Sequence, residues 1–186
     1  MKVGVLALQG DFAEHCHSLS QLGVEAIEVR LPEQLEDLDG LIIPGGESTT
    51  IGKLMDAYGF IEPLRTFAQT HGIWGTCAGA ILMAQDVGRE QVLLKIMDIR
   101  IARNAFGRQI DSFEMDLEAP FLQPPEPPYH AVFIRAPIVQ TVNGRAEVLL
   151  TLPDSRIVAA RQGKLLTTSF HPELTPDLRF HRYFLE

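Results

Sequence analysis

A cysteine in a frame of small residues is the first candidate for chemistry in this sequence. Cys77 lies in residues 75–79, which read Gly-Thr-Cys-Ala-Gly. Such a frame lets the chain turn sharply from a strand into a helix and present the thiol at the end of a sheet. A helix that begins at Ala78 would stabilise a thiolate by its dipole, and its free N–H groups could bind an oxyanion. The segment is typical of a nucleophile, whereas Cys77 alone would also suit a buried structural thiol.

A histidine and a glutamate two residues apart supply the groups that a nucleophilic thiol needs. His171 and Glu173 lie in residues 169–173, which read Ser-Phe-His-Pro-Glu. Residues two apart in an extended segment point the same way. His171 could therefore take the proton of Cys77 while Glu173 orients the imidazole, as in a triad of nucleophile, base and orienting acid. A surface turn is the alternative when these residues are taken alone.

A glycine-rich loop is the third candidate. Residues 44–50 read Pro-Gly-Gly-Glu-Ser-Thr-Thr and follow an apolar run. Backbone amides in such a loop could point at a negative oxygen, and its polar side chains could bind a substrate. The alternative is a simple strand-to-helix turn that is capped by Ser48.

These three segments can cooperate only if the fold brings them to one edge of a sheet. The first half of the chain alternates apolar runs of strand length with segments of helical spacing, which predicts an α/β sheet. The predicted strands are residues 2–8, 25–30, 40–43 and 72–75, and the predicted helices are residues 12–22, 49–55, 61–71 and 78–85, with a helical or turn segment at 32–38.

Beyond residue 90 the pattern changes to short extended segments, which predict antiparallel additions to the sheet. These segments are residues 96–101, 113–117, 131–136, 147–152, 157–162 and 165–169. Five prolines within residues 120–128 predict an exposed loop, either a connector or a lid. We predict a three-layer α/β fold with a mixed, mostly parallel central sheet, in a single domain over residues 1–186.

Composition and charge argue against several classes of protein. With 16 Lys and Arg against 24 Asp and Glu, the net charge of -8 does not favour binding to nucleic acid or an anionic membrane. Cys16 and Cys77 are too few for a disulfide framework or a four-ligand zinc site. Cys16 lies between His15 and His17, but neighbours on a helix point in different directions, so we predict no metal site and no cofactor. Without a signal-peptide pattern or a run of about 18 apolar residues, a cytoplasmic location is expected.

The three candidate segments resemble those of the class I glutamine amidotransferases, and specifically of the glutaminase subunit of pyridoxal 5'-phosphate synthase. The resemblance runs essentially end to end and implies the flavodoxin-like fold of the class I glutaminases. Three further segments are specific to this subfamily: Gly-Val-Leu-Ala-Leu-Gln-Gly at 4–10, Arg-Asn-Ala-Phe-Gly-Arg-Gln at 103–109 with Asp-Ser-Phe at 111–113, and Phe-Ile-Arg-Ala-Pro at 133–137.

The resemblance implies a role for each matching residue. Cys77 is the nucleophile that forms a glutamyl thioester, His171 is the base and then the acid, and Glu173 is its orienting partner. The amides of Gly46 and Ala78 form the oxyanion hole. An arginine such as Arg103 or Arg135 suits the substrate α-carboxylate because its guanidinium binds carboxylates in a bidentate manner. Without the resemblance, Arg103 and Arg135 would be interpreted as exposed salt-bridge residues. The residues implied to bind L-glutamine are Gly46, Glu47, Ser48, Arg103, Ile134 and Arg135.

The resemblance also implies a partner. The chain would hydrolyse L-glutamine to L-glutamate and ammonia, and pass the ammonia to a barrel-shaped synthase subunit that makes pyridoxal 5'-phosphate within a large hetero-oligomer. Gln9 and Gly10, at the carboxyl end of the first predicted strand, would lie in the docking surface. Two other interpretations remain open: a cysteine hydrolase of the peptidase or deglycase type, and a binding subunit that regulates a synthase without turning over glutamine.

Overall fold

The computed structural model describes residues 1–103 and 112–186, and its first half alternates strands and helices as predicted. These elements are β1 (Lys2–Leu6), α1 (Phe12–Gln21), β2 (Glu25–Val29), β3 (Gly40–Ile43), α2 (Ser48–Ala57), α3 (Ile61–Phe67), β4 (Gly72–Thr76) and α4 (Ala78–Met83). The second half is mainly extended: β5 (Ala84–Asp86), β6 (Met97–Ala102), β7 (Ser112–Leu117), β8 (Tyr129–Ile134), β9 (Ile138–Val142), β10 (Glu147–Thr151), β11 (Ile157–Gln162) and β12 (Leu165–Thr168), followed by α5 (Arg179–Leu185). Short 3₁₀ turns occur at Pro32–Leu35 and Pro172–Leu174. Within the described ranges, no helix combines the length and the apolar character that crossing a membrane requires.

The main sheet is mixed. Its strand order is β2-β1-β3-β4-β12-β11-β9-β6-β5, and β10 pairs with β11 beside this path. Each neighbouring pair from β2 to β12 in this order is parallel. Strand β11 is antiparallel to both β12 and β9, and β9 is antiparallel to β6. Strands β7 and β8 form a separate antiparallel ribbon. The predicted mixed sheet with antiparallel additions is therefore confirmed.

Apolar residues cover both faces of the central strands. In β1, Val3 and Val5 belong to one buried cluster and Leu6 to the other. In β3, Ile42 packs in the first of these clusters and Ile43 in the second. Successive side chains of a strand point to opposite faces, so a sheet that is buried on both faces needs strands of continuous apolar sequence. This is why these strands were recognisable as unbroken apolar runs and why the fold has three layers.

Some element bounds differ from those predicted. Strand β9 was not predicted, because Gln140 and Thr141 interrupt its apolar run; its pairing with β6 and β11 supplies the backbone hydrogen bonds that make it a strand. The helix predicted over residues 78–85 ends at Met83, since Ala84 is extended and pairs with Met97 in β6. Tertiary pairing decided both cases.

The proline-rich loop is exposed over most of residues 120–128, as predicted. The guanidinium of Arg179, at the start of α5, donates hydrogen bonds to the carbonyl oxygens of Pro124 at 3.0 Å and Pro127 at 2.8 Å. Asp177 holds the same guanidinium from the other side. A loop fixed by these contacts is better described as a connector than as a lid.

The candidate residues meet where the parallel strands end. Thr76 of β4 pairs with Thr168 of β12, and the next amide along, that of Cys77, donates a hydrogen bond of 2.8 Å to the carbonyl oxygen of Thr168. Open α/β sheets bind ligands at this carboxyl edge. The fold therefore brings the cysteine segment and the histidine segment together, although they are far apart in the sequence.

Candidate active site

Cys77 lies on a sharp turn between β4 and α4. Its backbone has φ of 47° and ψ of -101°, a conformation that is unfavourable for a residue with a side chain. Gly75 and Gly79 make the turn possible, because a Cβ at Gly75 would lie 2.5 Å from the carbonyl carbon of Gly79, and a Cβ at Gly79 would overlap the carbonyl oxygen of Ile43. The small residues thus hold the thiol at the carboxyl edge of the sheet, in the turn that the sequence predicted.

His171 and Glu173 form a buried pair directly after β12. Nδ1 of His171 lies 2.6 Å from Oε1 of Glu173, which belongs to the 3₁₀ turn that begins at Pro172. His171 and Cys77 line the same cleft, and the thiol contributes to raising the pKa of the imidazole. With Nδ1 committed to Glu173, Nε2 is the ring nitrogen available to the thiol. The structure thus brings the three residues of the predicted triad together.

The surroundings of His171 make it a strong base. Burial lowers the pKa of its imidazole, but the interaction with Cys77, the hydrogen bond to Glu173 and the negative charge of Glu173 outweigh burial and raise that pKa to about 10. Burial raises the pKa of Glu173, and its contact with His171 opposes that shift. A positive imidazolium is stabilised beside a carboxylate, so this pair favours movement of the thiol proton to His171.

A cleft of about 460 Å³ opens over Cys77 and His171. Glu173 lies behind His171 and does not line the cleft, and Gly10 also stays outside its wall. All six residues predicted to bind glutamine are in the wall, namely Gly46, Glu47, Ser48, Arg103, Ile134 and Arg135. The others that line it are Gln9, Asp11, Cys77, Ala78, Ile81, His171 and Leu174.

Polar groups at the cleft wall are arranged to receive a ligand. The hydroxyl of Ser48 is buried and has no hydrogen-bond partner within the described residues, which is costly unless a ligand satisfies it. Glu47, rather than Ser48, caps α2, because its carboxylate accepts a hydrogen bond from the amide of Thr49 at 3.2 Å. Arg103 pairs with the same carboxylate at 3.1 Å. The Thr49 amide and Arg103 together lower the pKa of Glu47.

The glycine loop is held by the segment that follows β1. The Gly45 carbonyl accepts a hydrogen bond of 3.0 Å from the amide of Asp11, and the side-chain oxygen of Gln9 accepts one of 2.8 Å from the amide of Glu47. Because C=O and N–H of a trans peptide point in opposite directions, the Gly46 amide is directed away from Asp11. The Ala78 amide is the first of α4, where N–H groups have no partner within the helix. Gly46 and Ala78 both line the cleft, so their amides are candidates for an oxyanion hole.

Sequence reasoning missed two side chains that contact the predicted triad. Asp11 reaches to 3.6 Å from Nδ1 of His171, and His15 lies beside Glu173. Asp11, His171 and Glu173 bring ligand atoms within 4.8 Å of one another, but the Nδ1 that a metal would require is already bonded to Glu173. The burial of His15 could have been predicted from helical spacing, because His15, Ser18 and Leu19 share the buried face of α1.

One of the predicted subfamily segments lies partly outside the described residues. The motif at 103–109 with 111–113 falls in part on residues 104–111, so of its members only Arg103, Ser112 and Phe113 are described.

His17, which the sequence placed beside Cys16 and His15, is exposed, whereas His15 is buried and Cys16 half-buried. These neighbours therefore face different surroundings, as their helical spacing required.

Fold and cleft together place the chain among the glutamine amidotransferases. It belongs to the SNO glutamine amidotransferase family, whose model matches residues 5–186. A protein of Moorella thermoacetica named "Pyridoxal 5'-phosphate synthase subunit PdxT" is 56% identical, over 100% of this chain and 98% of that protein. A protein of the same name from Herpetosiphon aurantiacus is 57% identical, over 100% of this chain and 99% of that protein.

Solved structures agree with this assignment. A crystal structure described as a glutamine amidotransferase superposes with a TM-score of 0.92 and 51% identity, covering 98% of this chain and 96% of that one. A putative GMP synthase subunit from Thermoplasma acidophilum superposes with a TM-score of 0.69 at 16% identity, over 100% of this chain and 92% of that one. The second likeness concerns the fold alone.

Proposed function

We propose that this chain is the glutaminase subunit of a pyridoxal 5'-phosphate synthase. It hydrolyses L-glutamine to L-glutamate and ammonia, and delivers the ammonia to a synthase subunit in vitamin B6 biosynthesis. Full-length identity above half to proteins named as this subunit supports the biological role. The observation that carries the chemistry is the cleft in which Cys77 and a buried His171–Glu173 pair lie beside the two candidate oxyanion amides.

The proposed reaction begins with the thiol. His171 takes the proton of Cys77, and the thiolate attacks the side-chain amide carbon of glutamine. The amides of Gly46 and Ala78 stabilise the negative oxygen of the tetrahedral intermediate. His171 then protonates the leaving nitrogen, which departs as ammonia and leaves a glutamyl thioester. Water, deprotonated by His171, attacks the thioester and releases glutamate and the thiol.

Charges of both signs line the cleft and suit a free amino acid. Arg135 and Arg103 are the cations available for the α-carboxylate, and the carboxylate of Glu47 is available for the α-ammonium group. The unpaired hydroxyl of Ser48 can bond to either end of the substrate. Ile134 contributes an apolar surface to the same wall. These features favour glutamine over a peptide, whose termini lie elsewhere.

The partner is a barrel-shaped synthase subunit within a large hetero-oligomer. The chain acts as a single domain over residues 1–186, and its location is the cytoplasm. Gln9 and Gly10 form part of the docking surface. Gln9 holds the amide of Glu47, and Gly10 packs against the Gly45 carbonyl, so contact with a partner at these residues would act directly on the oxyanion loop. We infer that docking sets the loop that bears Gly46 and thereby raises turnover more than affinity. Transfer without release also keeps the ammonia from becoming ammonium, which is not a nucleophile.

The test uses the chain together with a cognate synthase subunit. Glutamate release from L-glutamine and formation of pyridoxal 5'-phosphate are both measured, with and without the synthase. Turnover that rises when the synthase is present, with cofactor formed from glutamine as the nitrogen source, supports the proposal. A verified complex that releases no glutamate would instead favour the regulatory binding subunit.

A further inference from the structure

The second carboxylate oxygen of Glu173 faces a histidine that does not line the cleft. Oε1 of Glu173 bonds to His171, and Oε2 lies 3.3 Å from Nε2 of His15 in α1. The side chains of His15 and Glu173 are both 0% exposed. Within the described residues Oε2 accepts no hydrogen bond, and Nε2 of His15 lies within ion-pair distance of it. His15 is thus placed to hold the orienting acid from behind.

His15 is itself fixed by groups from two elements, β4 and α5. Its Nε2 lies 3.1 Å from the hydroxyl of Thr76, the residue before Cys77, and its Nδ1 lies 3.0 Å from Nε2 of His181 in α5. The indole of Trp74 packs edge-on against both imidazoles, with ring centroids 5.7 Å from His15 and 5.0 Å from His181. These contacts hold the ring with Nε2 toward Thr76 and Glu173 and with Nδ1 toward His181.

The hydrogen-bond pattern selects one tautomer of His15. If Nδ1 carried the proton, the lone pair of Nε2 would face the carboxylate of Glu173, and His181 would bury an unpaired N–H at its Nδ1. If Nε2 carries the proton, it donates toward Glu173 and Thr76, while Nδ1 accepts from the Nε2–H of His181. Nδ1 of His181 is then left with an unpaired lone pair, which costs less than an unpaired donor.

Both histidines of this pair are neutral near pH 7. Burial lowers the pKa of His15 well below its usual value, and the nearby His181 and His171 lower it further. Burial lowers the pKa of His181 to about 4. A neutral donor can fix the carboxylate without neutralising it, so the negative charge of Glu173 stays available to the imidazolium of His171.

We propose that His15 is a positioning residue that fixes the Glu173 carboxylate through its Nε2–H, and that His181 selects the tautomer that makes this possible. The inference rests on the glutaminase activity proposed above. It adds two residues behind the triad, one from α1 and one from α5, that do not line the cleft. Loss of His15 would therefore slow the chemical steps and leave glutamine binding unchanged.

The experiment compares His15→Phe with His15→Gln in the chain bound to its synthase, with His17→Phe as the matched control on the exposed side of α1. Phenylalanine keeps the ring volume and removes the donor, whereas glutamine carries an amide N–H near the position of Nε2. We expect kcat to fall about tenfold to a hundredfold in His15→Phe, with KM within about twofold. His15→Gln should retain most of the activity, and His17→Phe should match the wild type.

Two results would overturn the inference. One is a kcat for His15→Phe equal to that of His17→Phe; the other is a His15→Gln variant as slow as His15→Phe despite unchanged thermal stability. Nitrogen-15 NMR of the imidazoles in the wild-type chain gives a readout that does not depend on activity. An Nε2–H resonance that disappears in His15→Gln supports the inference, and an Nδ1–H tautomer contradicts it. A wild-type complex without glutaminase activity would refute the proposed function, while the tautomer would still decide the geometry.

Discussion

Nδ1 of His171 lies 2.6 Å from Oε1 of Glu173, and both side chains are almost completely buried. Glu173 fixes the orientation of the imidazole and leaves the other nitrogen facing Cys77. In the proposed mechanism it also supplies the charge that stabilises the imidazolium once the thiol proton has moved. Cys77, Gly46 and the ion pair between Arg103 and Glu47 line the same cleft as His171.

Removing the charge of Glu173 without changing the shape of its side chain tests whether it orients and stabilises the imidazole of His171. In Glu173→Gln we expect kcat to fall by roughly 10²- to 10⁴-fold, because the orienting acid contributes on this scale in related triads. KM should change little, since Glu173 does not line the cleft. Steady-state glutamate release in the presence of the synthase measures both constants. Glu36→Gln on the exposed surface is the control, and equal kcat values in the two variants would contradict the role.

The raised pKa of His171 predicts a specific dependence of stability on pH. The folded pKa of about 10 lies above the value of 6.5 in the unfolded chain, so the stabilisation is fully present below pH 6.5 and is lost as the pH rises toward 10. We expect the free energy of unfolding in urea to fall more between pH 6.5 and 10 in the wild type than in His171→Gln. Parallel curves for the two proteins would show that the His171 contacts do not raise its pKa.

Gly10 provides a test of the oxyanion loop. A Cβ at this position, where φ is 104°, would overlap the carbonyl oxygen of Gly45 and displace the loop that bears the Gly46 amide. Gly23→Ala is the matched control, because φ there is also positive, at 73°, but a Cβ would meet nothing within 4 Å. Both variants should lose about 1–2 kcal/mol of stability from backbone strain.

We expect only Gly10→Ala to lose most of its kcat, by about a hundredfold or more if one oxyanion donor is misplaced. The rate is measured at saturating synthase, and binding of the synthase is measured separately, since Gly10 is also proposed to lie at the docking surface. If Gly10→Ala and Gly23→Ala turned over glutamine equally fast in the assembled complex, the proposed oxyanion geometry would be wrong.

Arg103 should determine affinity for glutamine. It lines the cleft and contacts both Glu47 and Thr49, whereas Arg89 contacts the same Thr49 hydroxyl from outside the cleft. We expect Arg103→Gln to raise KM about tenfold to a hundredfold, the loss typical of one charged hydrogen bond. Arg89→Gln should leave KM within about twofold. An unchanged KM in Arg103→Gln would remove Arg103 from the binding site.

The local parts of the site were predictable from sequence because neighbouring residues determine them. The turn at Cys77 needs Gly75 and Gly79 within a few residues, and His171 and Glu173 are only two apart. The contact between His15 and Glu173 joins residues at opposite ends of the chain, so no local pattern could reveal it. Strand β9 was missed for a similar reason, since its partners rather than its own sequence make it a strand.

The most direct test of the central claim is to trap the acyl-enzyme. The complex with its synthase is mixed with glutamine, quenched in acid during turnover, digested and analysed by mass spectrometry. The account predicts a glutamyl adduct on the peptide that contains Cys77, present in the wild type and in Cys16→Ala and absent, together with glutamate release, in Cys77→Ala. Continued glutamate release by Cys77→Ala, or an adduct on another residue, would contradict it.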